Sequence, residues 1–214
     1  MFLAQLLTIA IVHLFAVMSP GPDFAMVTRN SLIYSRKIAV YTSLGIALGI
    51  SIHVTYSLLG IGFIISKSIF LFNLIKYIGA TYLIYIGYKS LKARPAEKNE
   101  DNSITPLSML LKKEISIKSA IWSGFLTNVL NPKATLFFLA LFTQVINPMT
   151  PKFIQMLYGI EMMLITFLWF SIISFIFSNN KIKAKVNKFQ HYIERATGAV
   201  LIALGIKVAL ASHE

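Results

Sequence analysis

The side chains best suited to chemistry stand in two short clusters inside otherwise apolar runs. Ser19-Pro20-Gly21-Pro22-Asp23 sets a carboxylic acid directly after two prolines and a glycine. Asn128, Asn131, Pro132 and Lys133 set two amides and an ammonium around another proline. Proline removes a backbone donor and breaks the hydrogen-bond ladder, so each cluster interrupts a helix and frees carbonyl groups. An acid, a cation, amides and free carbonyl dipoles can together hold both ends of a zwitterion. The competing reading is that the prolines merely kink helices and that Asp23 snorkels to the membrane surface. That alternative has less force for Lys133, which stands roughly 20 Å along its helix.

Other polar groups in apolar runs carry weaker implications. Glu161 suits a proton carrier, alongside Asp23, or a partner for a substrate amine; pairing with Lys76 or Lys152 is its structural alternative. His13 and His53 could relay protons, although a lone histidine in a helix bundle is more often hydrogen-bonded packing. With no cysteine, four histidines and no His/Asp/Glu pairs at ligand spacing, a metal site is not expected. No cofactor is expected either. The sequence lacks a GxxxxGK[ST] loop for ATP and a nucleophile with a base in reach, so an enzyme is not expected.

The elements that position these groups follow from composition. Of 214 residues, 56% are hydrophobic and 13% charged, too little charge to cover a soluble globule of this size. Runs of roughly 20 apolar residues suit membrane-spanning helices. Six are expected: Leu3 to Val27, Ile38 to Ile65, Phe70 to Leu91, Ala120 to Ile146, Phe153 to Phe177 and Tyr192 to Leu210. The third and sixth are the weakest, with Lys76, Glu194, Arg195 and Lys207 near their ends. No Lys or Arg precedes the first run, which continues into the Pro-Gly-Pro cluster, so a retained helix rather than a cleaved leader is expected. The net charge of +12 is scattered in bursts between apolar runs, which argues against nucleic acid. Arg29, Arg36 and Lys37 mark the first connection. Lys92 to Lys118 forms the third, with Arg94, Lys98, Lys112 and Lys113. Lys181, Lys183, Lys185 and Lys188 mark the fifth. Odd connections are therefore expected in the cytoplasm and both termini outside. Gly45 and Gly49 form a GxxxG suited to close helix packing.

The two halves resemble each other. Leu14, Ser19 and Pro20 align with Leu126, Asn131 and Pro132; Gly45 aligns with Gly159; Leu83 to Lys89 aligns with Leu201 to Lys207. An all-α membrane protein of two inverted three-helix repeats is expected, at residues 1–92 and 119–214, joined by a cytoplasmic linker at 93–118. Inverted repeats place a transport site near midplane at the repeat interface.

Met18 to Ser31 resembles the amino-terminal motif of the LysE/RhtB family of bacterial amino-acid exporters. Gly124 to Ala134 is similar to that family's second motif, and Tyr77 to Gly87 to its third-span segment. The likeness covers nearly the whole chain. It implies a multi-pass protein of the bacterial inner membrane that exports an amino acid or similar small metabolite, driven by the proton gradient. Pro20, Gly21, Pro22, Asp23, Asn131, Pro132 and Lys133 carry over as functional positions. Glu161 departs from the family pattern and leaves a non-neutral substrate open. Small-molecule substrate, protons and lipid are the expected partners, with oligomeric state left open. The alternative is a metal-ion exporter or channel of similar architecture.

Overall fold

A computed structural model describes residues 2–93, 115–145 and 150–210, and these are helical apart from short connections. The helices are α1 (Phe2–Met18), α2 (Pro22–Ile33), α3 (Arg36–Lys67) and α4 (Ile69–Leu91), then α5 (Ile117–Val129), α6 (Pro132–Val145), α7 (Lys152–Phe177) and α8 (Asn180–Leu210). Most of the 93–118 connection lies outside the described residues, and α5 begins at Ile117.

Both proline clusters break helices. The chain bends by 59° between α1 and α2 and by 57° between α5 and α6. Within the described residues, α3 and α7 are each long and apolar enough to cross a membrane, and each bent pair also qualifies when taken as one span. Helices α4 and α8 do not meet that test. In α8, Glu194, Arg195 and Lys207 interrupt the apolar part. Among the described residues, length and composition thus support two to four crossings, and the six expected are not confirmed.

The fifth connection differs from expectation. Lys181, Lys183, Lys185 and Lys188 are not in a loop; they ride on the first half of α8, and only Ser178 and Asn179 separate it from α7. Lysine is a good helix former, so its charge marks solvent contact without marking a turn. Arg29 likewise sits inside α2.

Helices from both ends of the chain build the core. Ile9, Ile50, Leu83, Phe138, Met162 and Leu201 are buried in one cluster drawn from α1, α3, α4, α6, α7 and α8. Lipid offers no hydrophobic drive for helix pairing, so close backbone approach matters instead. A β-carbon on Gly45 would collide with the Ile121 carbonyl of α5, and one on Gly124 with the Thr42 carbonyl of α3.

Helices α4 and α8 pack reciprocally. A methyl group on Gly87 would come within 2.7 Å of both the Gly198 carbonyl and the Ile202 side chain. One on Gly205 would lie 2.9 Å from the Ala80 carbonyl and 2.8 Å from the Ile84 side chain. A single sequence separation relates Gly87 to Gly205, Ala80 to Gly198 and Ile84 to Ile202. The Gly45 and Gly159 alignment has no such counterpart: Gly45 meets backbone of α5, whereas Gly159 meets the Val54 side chain of α3.

Candidate functional site

At the first break, α1 ends at Met18 and α2 begins at Pro22 with Gly21 as its cap. Proline suits the first helical position because its missing donor has no partner there anyway. Asp23 follows in the first turn, where the positive end of the helix dipole favours an anion. At the second break, α6 begins at Pro132, and the Asn131 carboxamide oxygen accepts from the Lys133 backbone N–H at 3.0 Å. Lys133 thus puts a cation at a helix N-terminus, the end that disfavours it. Its ammonium turns away from α6 and reaches the other broken helix.

There the Lys133 Nζ donates to the Ser19 carbonyl at 2.7 Å and the Ala16 carbonyl at 3.1 Å. These carbonyls at the end of α1 lack helical partners, and the negative end of a helix dipole favours a cation. Asp23 makes the converse link. Its Oδ2 accepts from the Asn128 Nδ2 at 3.0 Å and the Asn131 Nδ2 at 3.1 Å. Asp23 and Lys133 form no direct ion pair within 4.0 Å; each is held by the opposite half of the chain.

The alignment that matches Ser19 with Asn131 also matches Ala16 with Asn128. The two charged residues therefore dock on equivalent positions, Lys133 on backbone oxygens and Asp23 on side-chain amides.

A cavity of about 40 Å³ lies between the breaks. It has room for a few waters but not for an amino acid. His13, Ser19, Asp23, Asn128, Asn131 and Lys133 are its polar lining. Four polar atoms of these residues are buried without a hydrogen-bond partner: His13 Nδ1, Ser19 Oγ, Asp23 Oδ1 and Asn128 Oδ1. Burying such groups unpaired is costly, and all four belong to residues that line one cavity.

The second break is held by His53, for which the sequence left open a proton relay or hydrogen-bonded packing, and by Tyr56, which the sequence did not single out. His53 Nε2 donates to the Asn128 carbonyl at 2.9 Å, and Tyr56 donates to His53 Nδ1 at 2.7 Å. This fixes the histidine tautomer, because a carbonyl only accepts. His53 also stacks on Phe138, with ring centroids 5.4 Å apart. His13 bonds Thr166 Oγ1 at 2.9 Å and faces the cavity. Pro20, which has no N–H to give the carbonyl four residues before it, marked the Ala16 carbonyl as free, but nothing in the sequence named Lys133 as the donor to it or to Ser19.

Glu161 is not brought to this site. It lies on α7 outside the cavity lining, and its buried Oε2 has no partner, so neither Lys76 nor Lys152 pairs with it at that oxygen. Among the described residues, no group of three or more His, Cys, Asp or Glu side chains could hold a metal ion.

The family model described as LysE type translocator matches residues 14–212. The chain is 35% identical over 196 residues to the uncharacterized membrane protein YrhP of Bacillus subtilis, covering 91% of this chain and 93% of the relative. It is 32% identical over 206 residues to the threonine efflux protein of Escherichia coli K12, covering 95% and 97%. It is 25% identical over 211 residues to the leucine efflux protein of Klebsiella pneumoniae, covering 95% and 93%. No solved structure matches.

Proposed function

Since the chain belongs to the LysE type translocator family of membrane proteins, we propose that it exports an amino acid or similar small metabolite from a bacterial cell by proton-coupled secondary transport. The single observation that carries this reading is the reciprocal docking at the two breaks. Lys133 and Asp23 each hold the opposite half at equivalent positions, so the halves can separate only by releasing both charges. A substrate ammonium suits Asp23 and the carbonyls of Ala16 and Ser19; a substrate carboxylate suits Lys133 and the amides of Asn128 and Asn131. Broken helices at matching positions are a transporter's way to present free dipoles at midplane.

The architecture we infer is six spans in two inverted repeats, residues 1–92 and 119–214, with both termini outside. The matched environments of Gly87 and Gly205 support that repeat. Alternating access is then a rocking of the repeats that widens the small cavity to substrate size. Asp23 is the proton carrier at the site, and Glu161 a second carrier along α7. The relatives named for threonine and leucine efflux direct attention to neutral amino acids first.

Cells overproducing the protein should withstand higher external concentrations of at least one toxic amino acid or analogue. Preloaded cells should release that solute faster, and a protonophore should abolish the difference. The panel should hold basic, small neutral and hydroxylated amino acids. A response confined to divalent metal ions would replace this reading with metal export.

A further inference from the structure

A second space borders the breaks. A cleft of about 370 Å³ lies against Pro20, Pro22 and Pro132 and is walled by Tyr82, Lys89 and Glu194. Gly21, Asn131 and Lys133 line both this cleft and the small cavity, so one thin wall divides the two. The Lys133 stem crosses that wall: its Cδ and Nζ lie 3.4 and 3.6 Å from where a Gly21 β-carbon would stand.

Size separates the two spaces. Small-molecule sites run from roughly 300 to 1,000 Å³, a range the cleft enters and the small cavity does not. Charge gives the cleft a polarity. Lys89 stands exposed in the last turn of α4, its Nζ 5.5 Å above the Tyr85 ring. Glu194 stands half-buried on α8. Because α4 and α8 pack along each other, a cation and an anion face one cleft from neighbouring helices. The cleft lies toward the end of α4 that leads into the 93–118 connection, the side given to the cytoplasm by loop charge.

We propose that this cleft is a loading site for a zwitterionic amino acid, with Lys89 taking its carboxylate and Glu194 its ammonium before Lys133 leaves Ser19 and opens the wall. This deepens the transport reading and rests on it. Opposite charges on separate helices discriminate a zwitterion from a simple cation or anion, since either of those meets one like charge.

The test uses the full-length protein in inside-out membrane vesicles, where export reads as uptake. Initial rates are measured against concentration for a transported amino acid and for its carboxamide, which lacks the carboxylate. Lys89→Gln and Glu194→Gln should each raise the KM for the amino acid about tenfold while the maximal rate stays within about twofold, the loss of one charge-assisted contact. Lys89→Arg should restore the KM. For the carboxamide, Lys89→Gln should change the KM less than twofold. An unchanged KM in both glutamine variants, with Asp23→Asn still abolishing uptake, would refute the loading site and leave the transport function standing. An equal rise in KM for amino acid and carboxamide in Lys89→Gln would also refute it, because Lys89 would then serve the fold alone. Absence of uptake of every amino acid by the unaltered protein would overturn the transport reading itself, and the loading site with it.

Discussion

At the residue scale, the site rests on groups satisfied by the wrong half of the chain, so single substitutions separate folding from turnover. Asp23→Asn keeps a carboxamide oxygen that can accept from Asn128 and Asn131, so the break survives while the charge is lost. The variant should reach the membrane at normal level and export nothing measurable in a preloaded-cell assay. Lys133→Met keeps the length of the stem but leaves the Ala16 and Ser19 carbonyls without their donor. Each unpaired carbonyl costs about 1–3 kcal/mol, so this variant should both lose export and melt lower in detergent. His53→Phe keeps the stacking on Phe138 but removes the donor to the Asn128 carbonyl. Export should fall about tenfold, the scale of one lost buried hydrogen bond of ~1–1.5 kcal/mol, while abundance in the membrane holds.

At the element scale, breaks were legible in the sequence and helix ends were not. Proline acts on the backbone wherever it stands, so Pro20, Pro22 and Pro132 announced both interruptions without knowledge of the fold. Lysine clusters gave the opposite lesson. Lys181 to Lys188 looked like a connection because charge avoids lipid, but a helix can leave the membrane without unwinding. The pairing of Lys133 was illegible for a third reason: Pro20 frees the Ala16 carbonyl, but only the placement of α1 beside α6 brings the Lys133 ammonium to it and to the Ser19 carbonyl, and no side-chain pattern reports that placement. Close helix approach supplies the test here. Gly45→Val places two methyl groups against the α5 backbone, and overpacking of that kind costs roughly 1–3 kcal/mol. Thermal unfolding in detergent should show a melting temperature several degrees lower, with Gly49→Val also displacing the Asn128 side chain it faces.

At the scale of the whole molecule, orientation is the property that charge predicts most directly. The chain has no cysteine, so single cysteines at positions 103 and 212, both outside the described residues, give clean reporters. In intact cells an impermeant thiol reagent should label Ser212→Cys and spare Ser103→Cys. The reverse pattern would invert the topology and place the Lys89 and Glu194 cleft on the outer face.

The exchange of contacts between halves also has a consequence for how the protein is made. Lys133 stands 114 residues after Ser19, whose carbonyl it serves. At about 5–20 residues per second, synthesis leaves that carbonyl without its ammonium for on the order of ten seconds. Hydrocarbon offers no substitute donor during the wait. The newborn first span should therefore stay beside the insertion machinery, or near hydrated lipid headgroups, until the second half emerges. A ribosome stalled just before codon 133 should leave the first span crosslinkable to the insertase, and one stalled well beyond it should not.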